Sequence, residues 1–262
     1  MIKPSISIIS PCYNSEIYLD KMISSIVSQT FSSWELIVVD DCSTDKSINV
    51  IKKFLKKDNR IKFFKLDKNM GAAYARNKAI SLAVGRYITF LDSDDYWEEN
   101  FLKYSIEKVK NYPFIYSGYN RVNKNGKYID TIKSVPAVSL DRVLKGTPIS
   151  CLSAFIDTKK FGKKFFPLDA FREDLAYWVV LLNDFKVAYG FDFCEANYRL
   201  HRSSSSNNKI KMAYLTWQDY RNNYNLTFIK SVYYFIYYAF NGCLKFLKLI
   251  LFKFMQVIKD QV

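Results

Sequence analysis

Short apolar runs alternate with longer segments of helical periodicity along the N-terminal part of this sequence. The apolar runs predict four strands, near residues 5–9, 34–39, 61–66 and 87–91. Helices are predicted between them, near residues 14–29, 43–57 and 71–83. Strands that alternate with helices in this way indicate a parallel sheet that is covered on both faces.

Polar clusters stand where three of these strands end. Proline has no N–H for a strand ladder, so the first strand is expected to stop at Ser10–Pro11, just before Tyr13. The second strand ends at Asp41, and the fourth ends at the acidic run 92–95. Because ligands of parallel sheets bind beyond the carboxyl ends of the strands, the three clusters predict one binding site.

The acidic run Asp92-Ser93-Asp94-Asp95 predicts a metal site. Carboxylates this close together repel one another, and a hard divalent cation relieves the repulsion while leaving positions for phosphate oxygens. A polar turn that caps the next helix is the alternative. Tyr13 can stack on a nucleobase and Asp41 can accept a base N–H, so the clusters favour a nucleotide-sugar site. The sequence has neither the glycine pattern of dinucleotide-binding folds after its first strand nor a P-loop motif.

Five motifs, in order, resemble those of the family-two glycosyltransferases of the GT-A fold. They are Ser-Pro-Cys-Tyr-Asn (10–14), Ser-Gln-Thr-Phe (28–31), Glu-Leu-Ile-Val-Val-Asp-Asp-Cys-Ser-Thr-Asp (35–45), Asn-Met-Gly-Ala-Ala-Tyr-Ala-Arg-Asn (69–77) and Phe-Leu-Asp-Ser-Asp-Asp (90–95). The resemblance implies an α/β fold of the GT-A type, with a Rossmann-like, mostly parallel sheet flanked by helices. It also implies an inverting sugar transfer of the kind that builds bacterial surface polysaccharides.

The resemblance implies a role for each matching residue. The donor is expected to be held by Pro11, Tyr13, Asp41, Arg76, Asp92 and Ser93. Pro11 and Tyr13 would line the nucleoside pocket, and Asp41 would meet the base. Asp92 would hydrogen-bond the ribose or the sugar, and Asp94 would bind Mn²⁺ or Mg²⁺. Arg76 would help to hold the nucleotide; the alternative is a surface arginine on a helix.

Glu173 and Asp174 precede an apolar helical run. Acids at a helix N-terminus are stabilised by about 0.3–1 kcal/mol, which would explain the pair without catalysis. The resemblance instead matches Asp174 to a general base, which takes the proton of the acceptor hydroxyl as its oxygen attacks the anomeric carbon. Glu173 would support that base or bind the acceptor. The leaving nucleoside diphosphate would need no acid, because the metal absorbs its charge.

His201 is the only histidine, and it lies in the basic, serine-rich segment 198–206. The resemblance to a Tyr-Arg-x-His-x-x-Ser motif implies that His201 completes the metal site and that Arg199 and Arg202 contact the diphosphate. A structural histidine is the alternative. The serine run is predicted to be a flexible loop that closes over the donor.

The rest of the chain divides into an acceptor region and a tail. Residues 1–112 are predicted to form the nucleotide-sugar half of one catalytic domain, and residues 113–225 the acceptor half. A turn at residues 123–127 is predicted to join strands near 116–122 and 128–132. Residues 226–262 are predicted to be a helical extension.

The tail is rich in aromatic and aliphatic residues, and the chain has a net charge of +14. On a helical wheel, one narrow stripe contains Asn241, Lys245, Lys248, Gln256 and Lys259. This pattern favours a helix that lies in the interface of an anionic membrane. A helix that spans the membrane is disfavoured, because lysines interrupt the apolar run near its centre. The alternatives are packing on the catalytic domain or on a second copy in a homodimer.

The cysteines indicate a cytoplasmic protein, and the tail places it on the inner face of the cell membrane. The five cysteines are scattered and odd in number, which is typical of reduced thiols. No signal peptide is predicted before the first strand. The predicted donor is a nucleotide-sugar, with UDP preferred because Asp41 fits the uracil N–H. The family resemblance, together with the basic and aromatic tail, implies a glycan or polyprenyl-diphosphate-linked acceptor.

Three other functions compete with sugar transfer. A nucleotidyltransferase would share the fold and the metal, but the usual glycine-rich basic loop is missing after the first strand. A nucleic-acid-binding protein would explain the charge, yet no such motif is present, and no nucleic-acid partner is expected. An inactive membrane scaffold is disfavoured by the presence of Asp92, Asp94 and Asp174.

Overall fold

The computed structural model describes residues 4–146, 148–200 and 209–240. The strands of these residues are β1 (Ile6–Cys12), β2 (Trp34–Asp40), β3 (Ile61–Lys65), β4 (Tyr87–Phe90), β5 (Tyr96–Trp97), β6 (Phe114–Ser117), β7 (Tyr119–Val122), β8 (Tyr128–Ile132), β9 (Ala137–Ser139), β10 (Ala154–Asp157), β11 (Val187–Phe191) and β12 (Ala196–Arg199). The helices are α1 (Leu19–Val27), α2 (Ser47–Leu55), α3 (Ala72–Leu82), α4 (Phe101–Val109), α5 (Leu140–Leu144), α6 (Glu173–Phe185) and α7 (Lys209–Gln218). A π-helical segment, Asp219–Asn223, follows α7, and the helix of residues 228–240 is α8.

The larger of two sheets has the strand order β3–β2–β1–β4–β10–β6–β11–β9. Its first four strands are parallel, as the alternation of strands and helices predicts. β10 runs antiparallel to both β4 and β6, and β9 runs antiparallel to β11. Separate apolar clusters fill the two faces of the sheet. The predicted α/β fold, with a mostly parallel sheet between helices, is confirmed.

Strand β1 extends past Pro11, so the expectation that it stops at Ser10–Pro11 is wrong. Pro11 is paired in register with Val39 of β2. On the other side of β1, the pairing with β4 ends at Ile9, whose carbonyl accepts a hydrogen bond from the Leu91 N–H at 3.1 Å. The backbone groups of residues two positions apart in a strand point to the same side, so the nitrogen of Pro11 points to the side on which Ile9 meets β4. β4 does not pair with β1 beyond Ile9, so no N–H is needed at Pro11.

Helix α1 begins at Leu19, which is later than the predicted start near residue 14. Asn14 has a φ of 46°, a left-handed conformation that does not continue a right-handed helix. Its Oδ1 accepts a hydrogen bond from the Thr44 N–H at 2.8 Å. Asn14 therefore ties the loop after β1 to the loop after β2.

The predicted hairpin is present, but its first strand is shorter than expected. β7 and β8 pair antiparallel in a smaller sheet of order β5–β12–β7–β8, whereas Tyr116 lies in β6 of the larger sheet. Gly118 separates β6 from β7. A Cβ atom at this position would lie 2.8 Å from Cys194 Sγ and 2.9 Å from the Ile132 carbonyl oxygen. The chain therefore changes sheets at a position that only glycine fits.

Helix α6 is fixed to the larger sheet beside the end of β4. The Tyr177 ring stacks on Phe166, with centroids 3.9 Å apart, and meets Phe90 edge-on at 5.6 Å. Phe90 is the last residue of β4, and the acidic run begins two residues later. This aromatic packing brings the first turn of α6 next to the acidic run.

Helix α8 packs on the α/β core with one face and exposes apolar side chains on another. Tyr234 and Phe235 lie against the core, and the Tyr234 hydroxyl donates to Asp141 Oδ1 at 3.1 Å. Ile229 is 81% exposed and Ile236 is 61% exposed. Within residues 4–146, 148–200 and 209–240, we find no helix with the length and apolarity needed to cross a membrane. The predicted stripe from Asn241 to Lys259 lies outside the described residues.

Candidate active site

An open cavity of about 480 Å³ lies beyond the carboxyl ends of β1, β2 and β4. Among its lining residues are all those predicted to bind the donor from the N-terminal motifs, together with the predicted metal ligand: Pro11, Tyr13, Asp41, Arg76, Asp92, Ser93 and Asp94. Cys12, Ser15, Asn69, Gly71 and Ala72 complete the lining. The parallel strands thus bring residues from four motifs to one cavity.

The wall after β1 and β2 combines an exposed ring with a fixed carboxylate. Tyr13 is 49% exposed, which leaves its ring accessible from the cavity. Asp41 is buried, and its two oxygens accept hydrogen bonds from the N–H groups of Met70 at 2.6 Å and Gly71 at 2.8 Å. These bonds anchor the start of α3. A carboxylate has about four lone-pair sites, so Asp41 can accept a further N–H from a ligand.

The acidic run is held in place by hydrogen bonds from other segments. Ser93 Oγ lies 2.7 Å from Ser15 Oγ, which joins the run to the loop after β1. Asp95 is buried and accepts a hydrogen bond from the Arg199 N–H at 2.8 Å. Burial, followed by the charges of Asp94 and Asp92, raises the pKa of Asp95 well above its usual value. Asp95 therefore supports the run from inside the protein.

Arg199 holds the acidic run and is not among the residues that line the cavity, and its predicted contact with the diphosphate stays a prediction. Its Nε donates to the Asp94 carbonyl at 2.8 Å, and its Nη1 donates to the Lys124 carbonyl at 2.8 Å. The guanidinium also lies over the rings of Tyr18 and Tyr96. These contacts bury the side chain. The other predicted residues of this segment, His201 and Arg202, lie outside the described residues.

The carboxylates at the cavity fit a hard divalent cation. Asp92 and Asp94 both line it, and carboxylate oxygens are the ligands that Mg²⁺ and Mn²⁺ prefer. Within the described parts of the chain, no three His, Cys, Asp or Glu side chains form a metal cluster. Mg²⁺ is commonly held by one or two carboxylates together with substrate phosphates, and this donor set matches that arrangement.

Arg76 joins the cavity to helix α6. It is 4% exposed, and its Nη2 lies 2.7 Å from Asp92 Oδ1. Its Nη1 lies 2.6 Å from Glu173 Oε1 and 3.5 Å from Asp174 Oδ1. Burial lowers the pKa of Arg76, but the neighbouring carboxylates outweigh burial and hold it well above its usual value. Arg76 is therefore a charged bridge between the predicted donor and base residues, and the surface-arginine alternative is wrong.

Asp174 lies in the first turn of α6, and its side chain is 46% exposed. Cys151 Sγ donates a hydrogen bond to its Oδ1 at 3.2 Å. Burial, followed by the charge of Asp174, raises the pKa of Cys151 well above its usual value, so the group stays a thiol and a donor. In the described residues, both contacts of this carboxylate use Oδ1. Oδ2 is the oxygen that remains for a substrate.

Two partners of Asp174, the predicted base, were missed by reasoning from the sequence. Cys151 was interpreted only as a reduced thiol, and the pairing of Arg76 with Glu173 was not expected. Neither has a local signal, because each depends on how α6 packs against the sheet. Asn69 and Gly71 of the cavity wall belong to the fourth motif, so the sequence did mark their segment.

Comparison with known proteins shows the family of this chain. The family model described as glycosyl transferase family 2 matches residues 7–153. A Bacillus subtilis (strain 168) protein named putative teichuronic acid biosynthesis glycosyltransferase TuaG is 40% identical over 246 residues, or 93% of this chain and 98% of that protein. An Escherichia coli protein named UDP-Glc:alpha-D-GlcNAc-diphosphoundecaprenol beta-1,3-glucosyltransferase WfgD is 35% identical over 92% of this chain and 94% of that protein.

Solved structures share the fold. The crystal structure of S. aureus TarS 1-349 has a TM-score of 0.65 and 24% identity, and the match covers 89% of this chain and 70% of that one. Mannosyltransferase PcManGT from Pyrobaculum calidifontis, in complex with GDP-Man and Mn²⁺, has a TM-score of 0.62 and 17% identity, over 84% of this chain and 64% of that one. At these identities the likeness shows the GT-A fold.

Proposed function

The chain belongs to glycosyl transferase family 2, and we propose that it transfers a sugar from a UDP-sugar, with inversion, to a hydroxyl of a lipid-linked glycan in surface polysaccharide synthesis. The observation that carries this proposal is the Arg76 bridge. It links Asp92 on the donor cavity to Glu173 and Asp174 on α6. A carboxylate with an available oxygen thus stands beside a cavity suited to a nucleotide.

The donor preference for UDP rests on Asp41 and Tyr13. Asp41 is held by two main-chain N–H groups and still has lone pairs for the N–H of uracil. Tyr13 offers an exposed ring on which a base can stack. The name of WfgD specifies a UDP-glucose donor, which supports the same nucleotide for this chain.

The base is Asp174 in this proposal. Contacts with Arg76 and Cys151 hold Oδ1, so Oδ2 accepts the proton of the acceptor hydroxyl as that oxygen attacks the anomeric carbon. Glu173 keeps Arg76 in place from the other side. A single base activates one acceptor oxygen, and its single displacement at the anomeric carbon inverts the configuration there.

A divalent cation would be held by Asp94, with Asp92 beside it and His201 as a further ligand. When bound, it supplies positive charge that stabilises the departing diphosphate. Ser93 and Arg199 position the carboxylates through Ser15 and the Asp94 main chain. Asp92 and Asp94 would therefore provide the anionic side chains for the cation.

The proposed location is the cytoplasmic face of the membrane, where a lipid-linked acceptor would be reached. Helix α8 supports this location because its outward face is apolar, with Ile229, Ile236 and Phe240 all at least 60% exposed. The net charge of +14 favours contact with anionic lipid headgroups. The acceptor named for WfgD is linked to diphosphoundecaprenol, which has the chemistry that such a surface would meet.

The proposal is tested by incubating the purified full chain with UDP-, GDP- and TDP-sugars, Mn²⁺ or Mg²⁺, and a lipid-diphosphate-linked N-acetylglucosamine. We expect UDP release and a glycosylated acceptor, both dependent on metal and lost in Asp94→Ala. Asp67→Ala, which removes an exposed acid outside the cavity lining, should retain the activity. Release of pyrophosphate from a sugar phosphate and a nucleoside triphosphate would instead favour a nucleotidyltransferase.

A further inference from the structure

Asp219 is a buried carboxylate that the proposed mechanism does not use. It is 2% exposed and begins the π-helical segment after α7. Its Oδ1 accepts a hydrogen bond from the Phe171 N–H at 3.1 Å, and its Oδ2 accepts one from the Arg172 N–H at 3.1 Å. Both donors lie immediately before Glu173, the first residue of α6.

These bonds hold the two residues that lead into helix α6 from another part of the chain. Arg172 occupies the capping position of α6 and provides no side-chain cap of its own. The Asp219 oxygens fix its N–H and that of Phe171 before it, which sets how the chain enters the helix. A negative charge at this end of a helix is also favourable.

The π-helical geometry holds the Asp219 carboxylate in this position. The Tyr224 N–H donates to the Asp219 carbonyl at 2.9 Å. This bond joins residues five positions apart and closes the wide turn of a π-helix. Asn223 is thereby brought against Asp219, and its Nδ2 donates to Oδ1 at 2.7 Å. The neighbouring Tyr220 is fully buried, and its hydroxyl donates to the Leu144 carbonyl at 2.9 Å. The segment is therefore tied to the domain on both sides.

We propose that Asp219 is a positioning residue for Asp174. By fixing the N–H groups of Phe171 and Arg172, it sets the direction in which α6 begins and thus where Asp174 stands relative to Arg76 and Cys151. The role rests on the proposed function, because it matters for catalysis only if Asp174 is the base. Asp219 itself contacts no substrate.

The test compares Asp219→Asn with Tyr220→Phe in the full chain. Asp219→Asn replaces one acceptor oxygen by an amide that cannot accept, so one N–H before α6 loses its partner. We expect kcat for sugar transfer to fall by about tenfold or more, since small misplacements of a catalytic group are costly. The KM for the UDP-sugar should stay within about twofold, because the donor cavity is untouched.

Tyr220→Phe is the matched control. It removes a buried hydrogen bond from the same segment, but that bond goes to Leu144 and not to the start of α6. It should lower the melting temperature to a similar extent and leave kcat unchanged within about twofold. A wild-type kcat in Asp219→Asn, or equal losses of kcat in both variants, would overturn the positioning role.

Hydrogen exchange gives a readout that does not depend on activity. In Asp219→Asn, peptides that cover residues 169–175 should exchange faster, whereas the same peptides should be unchanged in Tyr220→Phe. Unchanged exchange in both variants would contradict the proposal. The proposed function fails separately, if the wild-type chain does not transfer sugar or if Asp174→Asn remains active.

Discussion

The donor cavity is lined by residues that directly follow parallel strands, whereas the carboxylates of α6 reach it through contacts between distant parts of the chain. Asp41 follows β2 at once, and Asp92 comes two residues after β4. In contrast, Arg76 and Glu173 are 97 positions apart. A parallel sheet brings the carboxyl ends of its strands together because the strands pair, so the donor side of the site, formed by the cavity, follows from the sheet. The base side, formed by Glu173 and Asp174, depends on how helix α6 packs. The two sides should therefore respond differently to substitution.

The largest expected effect is on the base side alone. Asp174→Asn should lower kcat by about 10²- to 10⁴-fold, because it removes the group that takes the acceptor proton. Binding of UDP, measured by calorimetry, should change little, since the donor cavity is intact. Asp184→Asn is the control, because it makes the same change on the same helix at a surface ion pair with Lys164. Equal activity in the two variants would place the base elsewhere.

Arg76→Lys should disturb both sides together. Lysine keeps the charge but cannot direct two nitrogens at Asp92 and Glu173 at once. We expect kcat/KM for transfer to fall by about tenfold to a hundredfold, with a smaller loss of UDP affinity. Arg86→Lys is the matched control, because Arg86 also makes two contacts with a carboxylate, on Asp157, and is partly exposed. A wild-type kcat/KM in Arg76→Lys would show that the two sides are not coupled through this residue.

The outward face of α8 should affect membrane binding and not the cavity. Ile236→Asp and Ile229→Asp should each weaken binding to phosphatidylglycerol vesicles by about fivefold or more, because an exposed apolar residue is replaced by an anion. Ile129→Asp makes the same change at an exposed position of β8 and should have no effect. Flotation of the full chain with vesicles measures the binding. Unaltered flotation of both α8 variants would favour packing against a second copy of the chain.

The smallest expected effect is that of Cys151→Ala. It removes one hydrogen bond to Asp174, worth about 1 kcal/mol, so kcat should fall by about twofold to fivefold. Because burial and Asp174 raise the pKa of Cys151, the thiol stays protonated up to mildly alkaline pH. The ratio of wild-type to variant rates should therefore be constant between about pH 6 and 9. Cys194→Ala serves as the control, and a ratio that changes within this range would contradict the interpretation.

The sequence predicted well which residues meet at the cavity, because their signals are local. An apolar run that ends in Asp41 or in the acidic run marks both a strand and the polar residues at its carboxyl end. The strand prediction failed at Pro11, because β1 can continue through a proline where no described strand pairs with it on that side. The lack of such a partner is a property of the whole sheet and not of the local sequence. Similarly, nothing in the sequence near Tyr116 indicates that the chain changes sheets at Gly118.

The base side was predicted in part. Asp174 and Glu173 were identified through resemblance to a family motif, whereas the contacts that hold them could not be. Arg199 was expected to contact the diphosphate, and its contacts with the carbonyls of Asp94 and Lys124, which only the folded chain brings near, could not be predicted. Asp219 had no signal, because its partners, Phe171 and Arg172, are joined to it solely by tertiary structure.

The double anchoring of Asp41 limits how nucleotide preference can be redesigned in this scaffold. Asparagine at this position would leave one of the N–H groups of Met70 and Gly71 without its acceptor, and a side chain with no acceptor would leave both, so the start of α3 would be loosened. Engineering of selectivity for the proposed base is therefore better directed at another residue of the cavity. Tyr13, which lines the same cavity and is 49% exposed, is such a position.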